Sequence, residues 1–188
     1  MSEFEFIFAL FGLLLGLSIA EVLGGLARAI EARLRPNATV RFGVLTPLLG
    51  AFVMLDLLSF WLAAWATRET VTMSAVGLLA ITIFASAYYV AAHLVFPRAV
   101  ETQPHFDTHF FRVRRVVVGI MLALLVMQMA WYASVPVIAA RLFQPFSAGM
   151  TLVLAALMIA AIGVRDQRWC RWIMVALVAR YLVLYLIR

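Results

Sequence analysis

The chain of 188 residues contains no lysine, a single cysteine and few charges of any kind: 13% of its residues are charged, against 66% hydrophobic. Each scarcity excludes something. A Schiff base to retinal or pyridoxal phosphate needs a lysine nitrogen, and so does a P-loop, so all three are out. One cysteine, Cys170, excludes an intrachain disulfide, a CxxC redox pair, a c-type haem attachment and a four-thiolate cluster. It reads as a small filler at the start of the last apolar segment. So small a charged fraction, with a mean hydropathy of +1.04, excludes an ordinary soluble domain and leaves the bilayer as the solvent.

At roughly 20 apolar residues per spanning helix, the chain accommodates six spans, at 6–27, 44–66, 73–96, 116–140, 148–164 and 169–187. The fold expected is therefore all-α, a polytopic transmembrane helix bundle forming a single domain over 1–188. The connections are too short to hold a separate water-borne active site, so function must lie in the helices or between them. No cleavable signal peptide is expected, because the start lacks a basic region and the apolar run from Phe6 continues into a glycine-rich helix.

All 15 basic side chains are arginine, and they are segregated. The first, third and fifth connections hold Arg28, Arg33, Arg35 and Arg41, then Arg98, Arg112, Arg114 and Arg115, then Arg165, Arg168 and Arg171. The opposite side has Arg68, Arg141 and Arg188, and Arg180 lies inside a span. The positive-inside rule places the richer side in the cytoplasm and both termini outside it. A pI near 10.4 then points to anionic lipid at the cytoplasmic face, as a partner beside the bilayer itself, and away from nucleic acid.

Polar residues inside the spans are the candidates for function. In the first span Gly12, Gly16, Ala20 and Gly24 recur every four residues, a small-residue stripe that lets another backbone approach. It serves either a homo-oligomer contact or packing within the chain. Asp56 is central in the second span, where an acid costs about 2.5–3.5 kcal/mol on insertion scales and needs a partner. Arg180 is near the centre of the sixth, and their common depth suggests an ion pair. Glu21 is then the remaining acid, and it either snorkels, pairs with Arg28, or serves function by holding a proton or a cation. In the third span Thr82, Ser86, Tyr89 and His93 are spaced 4, 3 and 4 along one helix line, a pattern able to support a proton path or to act as interhelical glue. Gln128 is central in the fourth span, and Pro136 marks a kink.

The longest connection contains His105, Asp107 and His109. Three candidate ligands on no fixed helix make a poor metal site, so no metal is expected, and Asp107 reads as the cap of the fourth helix. The segments GLLLGLSIAEVLGGLARAI and HFFRVRR, the aromatic-rich second span and the Phe96-Pro97 stop together carry a resemblance. The first 120 or so residues resemble a widespread family of uncharacterised bacterial multi-pass inner-membrane proteins with about six spans. The resemblance implies a bacterial inner-membrane location and supplies no activity and no catalytic residue.

Enzyme readings lack their parts. An aspartyl intramembrane protease needs two membrane aspartates, a serine one needs a nucleophile beside a base, and bis-histidine haem needs a second histidine within a span. The expectation is a non-enzymatic membrane protein without cofactor. It reads as a small oligomeric channel or carrier for protons, cations or a small solute, using Asp56, Glu21, Gln128, Arg180 and the third-span line. The alternative is a structural, assembly or lipid-binding subunit.

Overall fold

The computed structural model describes residues 3–35, 43–67, 74–98, 106–142 and 144–187, and among them every regular element is helical. The elements are α1 (Glu3–Leu34), α2 (Leu45–Ala66), α3 (Ala75–Val95), α4 (Phe106–Ser134), α5 (Pro136–Leu142), α6 (Pro145–Gly163) and α7 (Gln167–Ile187). Six of them, all but the short α5, are long and apolar enough to cross a membrane. The chain is thus a multi-pass helix bundle. His105, Arg41, Arg68 and Arg188 lie outside the described residues.

Helix ends follow local chemistry. Ser74 caps α3 by accepting from the Gly77 N–H at 3.0 Å, and Pro145 opens α6 at a position whose N–H has no intrahelical partner. At Pro136 the structure goes further than a kink: α4 stops at Ser134 and a separate short helix begins at the proline, whose ring cannot continue the ladder. At its other end α4 begins at Phe106, ten residues ahead of the expected apolar span, because its first turns are polar yet helical.

Helices α2 and α4 touch each other and form the centre, with α1 and α3 on one flank and α6 and α7 on the other. Helix α1 lies chiefly along α3. The core between them is aromatic and aliphatic: Phe52, Leu49, Val53 and Leu57 from α2, Tyr88 and Ala92 from α3, Met121 from α4. Close approach is set by two glycines. A Cβ on Gly25 would lie 2.7 Å from Phe96 Cβ, so α1 can rest on the end of α3 only without a side chain there. A Cβ on Gly12 would lie 2.6 Å from the Trp61 ring.

The starts of α2, α4 and α7 are tied together at one end of the bundle. Thr46 Oγ1 donates to the Phe106 carbonyl at 2.8 Å. Asp107, expected to cap its own helix, instead reaches across: its Oδ1 accepts from the Leu45 N–H at 3.4 Å and its Oδ2 from Gln167 Nε2 at 2.7 Å. A carboxylate at the start of α2 answers the positive end of that helix dipole. Gly43 leaves room for that carboxylate, since a Cβ there would overlap it and displace the side chain. The described residues of the arginine-rich connections gather at this same end.

Candidate functional site

Asp56 is placed on α2 with its carboxylate between two other helices. Tyr88 of α3 donates its hydroxyl to Oδ2 at 2.7 Å, and Tyr181 of α7 donates its hydroxyl to Oδ1. Both tyrosines are buried, and Asp56 is partly so. Phe52 packs against Tyr181 at 6.2 Å between ring centroids, and Phe60 against Tyr88 at 5.6 Å, so the polar knot sits in an aromatic sleeve. Three helices are joined at one carboxylate.

The expected ion pair between Asp56 and Arg180 is absent among the described residues. Arg180 Nε donates to the Met150 carbonyl of α6 at 3.1 Å, and its guanidinium carbon stands 4.8 Å from the Tyr181 ring centroid. The physical reason is reach. A guanidinium on the flank of α7 can satisfy a carbonyl of α6, whereas the tyrosine one residue on faces α2 directly. Gln128 of α4 donates to Tyr132 at 2.9 Å. The hydrogen-bond partners of Asp56 come from α3 and α7.

Glu21 belongs to a second cluster. Its Oε1 lies 3.0 Å from His93 Nδ1 of α3 and 3.7 Å from Arg28 Nη2, with Glu21 and His93 side chains about one quarter exposed, at 24% and 25%. The approach to Nδ1 is out of line for a hydrogen bond, so the two groups are in close contact without a directed bond. Arg28 folds back along its own helix over Gly24, where a Cβ would lie 3.5 Å from Nη1. Tyr89 stacks on His93 with ring centroids 6.0 Å apart.

The third-span line divides on inspection. Thr82 returns its hydroxyl to the Leu78 carbonyl at 2.8 Å, Ser86 and Tyr89 are exposed, and only His93 meets another helix through a polar contact. The side of α3 turned to the core carries Phe84, Ala85, Tyr88, Ala91 and Ala92 instead. Nor is the first-span stripe one continuous contact: Gly12 faces Trp61, Gly24 lies under Arg28, and Gly16 and Ala20 point outward, with nothing within 4 Å of a Cβ built on Gly16.

Sequence reasoning missed Tyr88 and Tyr181. The signal for Tyr88 was its place in an alanine-rich row, where small neighbours admit a close helix and a hydroxyl has little else to meet. Tyr181 lies toward the end of the last span, where an aromatic side chain ordinarily reads as part of an interfacial belt. Arg114 is a further surprise. It is 2% exposed, donates to Cys170 Sγ at 2.8 Å and lies 4.7 Å from the Phe111 centroid, with no carboxylate partner among the described residues. Cys170 in turn donates to the Val164 carbonyl at 3.2 Å, so the cysteine joins α4 to the turn before α7.

His109 hydrogen-bonds the Leu94 carbonyl through Nε2 at 3.2 Å, which ties α4 to α3. Among the described residues no three His, Cys, Asp or Glu side chains converge as metal ligands. The chain matches no protein-family model, no curated protein and no solved structure.

Proposed function

We propose that the protein is a small carrier or channel for protons, cations or a small solute, with Asp56 as the group whose occupancy is coupled to helix packing. The observation that carries this reading is the clasp of Tyr88 and Tyr181 on one carboxylate in mid-span. An ionised carboxylate accepts from both hydroxyls at once. Protonation removes the charge that strengthens both bonds, and a bound cation competes with the hydroxyls for the same oxygens, so the clasp weakens. A single charge event at Asp56 therefore loosens α2 from α3 or α7. Ionisable groups in spanning helices are costly and mark ion pathways by default. Glu21 and His93 supply a second exchangeable pair closer to the arginine-rich end, on the α1–α3 seam.

A second reading has its own observation. Both oxygens of Asp56 already have donors, as expected of a structural tie in an assembly or lipid-binding subunit. Reconstitution in liposomes separates the two. With a pH or cation gradient imposed, wild-type protein gives a flux that Asp56→Asn abolishes while the variant remains folded. Wild-type protein without flux would overturn transport and leave the structural reading standing, and undiminished flux in Asp56→Asn would overturn Asp56 as the coupling group.

A further inference from the structure

Helix α7 begins with the segment QRWCRW, and its two sides differ sharply. One side is buried, through Cys170, Met174, Leu177 and Tyr181. The other is exposed and carries two arginines and two tryptophans at its head: Arg168 and Arg171 are open, Trp169 is 64% exposed and Trp172 68% exposed. Below Trp172 the same side continues with Val175, Leu182 and Leu186, all exposed and all apolar. Arg165, in the turn just ahead, is exposed as well.

Three features give this patch a chemistry. First, the charges are uncommitted: among the described residues none of Arg165, Arg168 and Arg171 meets a carboxylate, whereas Arg28 is paired with Glu21 and Arg114 is buried against Cys170. Second, the nearby acids are already engaged, Asp107 by the Leu45 N–H and Gln167 Nε2 and Asp166 by its own helix. Asp166 Oδ1 accepts from the N–H groups of Arg168 and Trp169 at 2.7 and 3.2 Å and so caps the helix start, which leaves the guanidiniums and not the helix terminus to receive an anion. Third, indole rings at the head of an apolar helix side are at the depth where ring and N–H meet headgroup and acyl region together.

We infer that the exposed side of α7 binds an anionic phospholipid, its phosphate held by Arg168 and Arg171 with Arg165 beside them, its acyl chain lying on Trp172, Val175 and Leu182. Guanidinium is the side chain suited to phosphate, because its planar fork presents paired donors. A free phosphate would satisfy the same arginines but would leave the tryptophans and the apolar row without a role. The row below the charges is what selects a lipid. This site is independent of the transport reading, since none of its residues touches the Asp56 clasp.

The test uses the full chain, purified in a neutral detergent. Phosphatidylglycerol, phosphatidylcholine and inorganic phosphate are titrated separately, and bound lipid is counted by native mass spectrometry. Phosphatidylglycerol is expected to bind at least about tenfold more tightly than phosphatidylcholine, and R168Q/R171Q to remove most of that preference, given the attraction of each interfacial arginine for anionic lipid. R112Q/R115Q, which removes two other exposed arginines at the start of α4, is expected to leave it within about twofold. A second measurement needs no charge variant to fold. Phosphatidylglycerol brominated on its acyl chain should quench tryptophan fluorescence in the wild type, and less so in Trp172→Phe. Equal binding of phosphatidylcholine, equal loss in the α4 control, displacement by inorganic phosphate at millimolar level, or unchanged quenching in Trp172→Phe would each overturn the site.

Discussion

Asp56 and Glu21 both lie well inside spanning helices, away from the helix ends, and the protein treats them differently. Asp56, near the middle of α2, is held by two neutral hydroxyls from two helices. Glu21, nearer the arginine-rich end of α1, is held by an imidazole and a guanidinium at longer and less directed contacts. Low dielectric explains the difference. Deep in the bundle a second full charge would carry its own desolvation cost, and short charge-assisted bonds from buried tyrosines stabilise the carboxylate without it. Toward the interface water screens the charges and long basic side chains reach solvent, so ion pairs form cheaply and contribute little. The first arrangement fixes helix positions, and the second leaves them adjustable.

The comparison breaks most readily at the donors. Replacing both tyrosines, Tyr88→Phe with Tyr181→Phe, strands a carboxylate that now has no hydroxyl, and each lost bond to a charged group is expected to cost about 1.5–3 kcal/mol. Adding Asp56→Leu to that pair should restore part of the loss, because the stranded charge goes with it. Unfolding midpoints in detergent measure both. A triple variant no more stable than the double would show that the clasp is not where the energy lies.

Next in size is the packing of α1 on α3. Gly25→Leu pushes Phe96 and the α1 backbone apart and is expected to destabilise by about 1–3 kcal/mol, read from the same unfolding midpoints. At the Glu21 end, Glu21→Gln should change stability by less than about 1 kcal/mol, since its partners are partly exposed. A larger loss would mean that this pair is buried by something absent from the single chain.

Smallest of all, Gly16→Leu is expected to leave the folding of the single chain unchanged, because its Cβ position is open. Its informative readout is particle mass in detergent. A drop in mass with stability retained would identify the outward part of the first-span stripe as a contact between copies, and no change in either would place it against lipid.

The number of spans and most of their limits were legible in the residues, since a run of about 20 apolar side chains can hardly do anything else. So were the gathering of arginines and the need of Asp56, a mid-span acid, for polar partners. The partners of Asp56 were not. Arg180 was the reasonable choice by depth and charge, yet depth says nothing of which way a side chain points around its helix. The line from Thr82 to His93 looked like an inward face because it was the polar one. Thr82 shows why that inference fails: a hydroxyl that bonds the carbonyl one turn back is already satisfied and needs no protein neighbour.

In a soluble helix the apolar stripe marks the core, because water rejects it. Here lipid is as apolar as the interior, so hydropathy fixes that a helix spans and not which side faces inward. Composition and the length of its apolar runs determined that this chain would be a bundle of six spanning helices with its basic residues gathered at one end. Only the packing of α2 against α3 and α7 decided that Tyr88 and Tyr181 would meet at Asp56, because that depends on helix rotation, which close contacts such as those at Gly12 and Gly25 set and apolar periodicity in a bilayer does not.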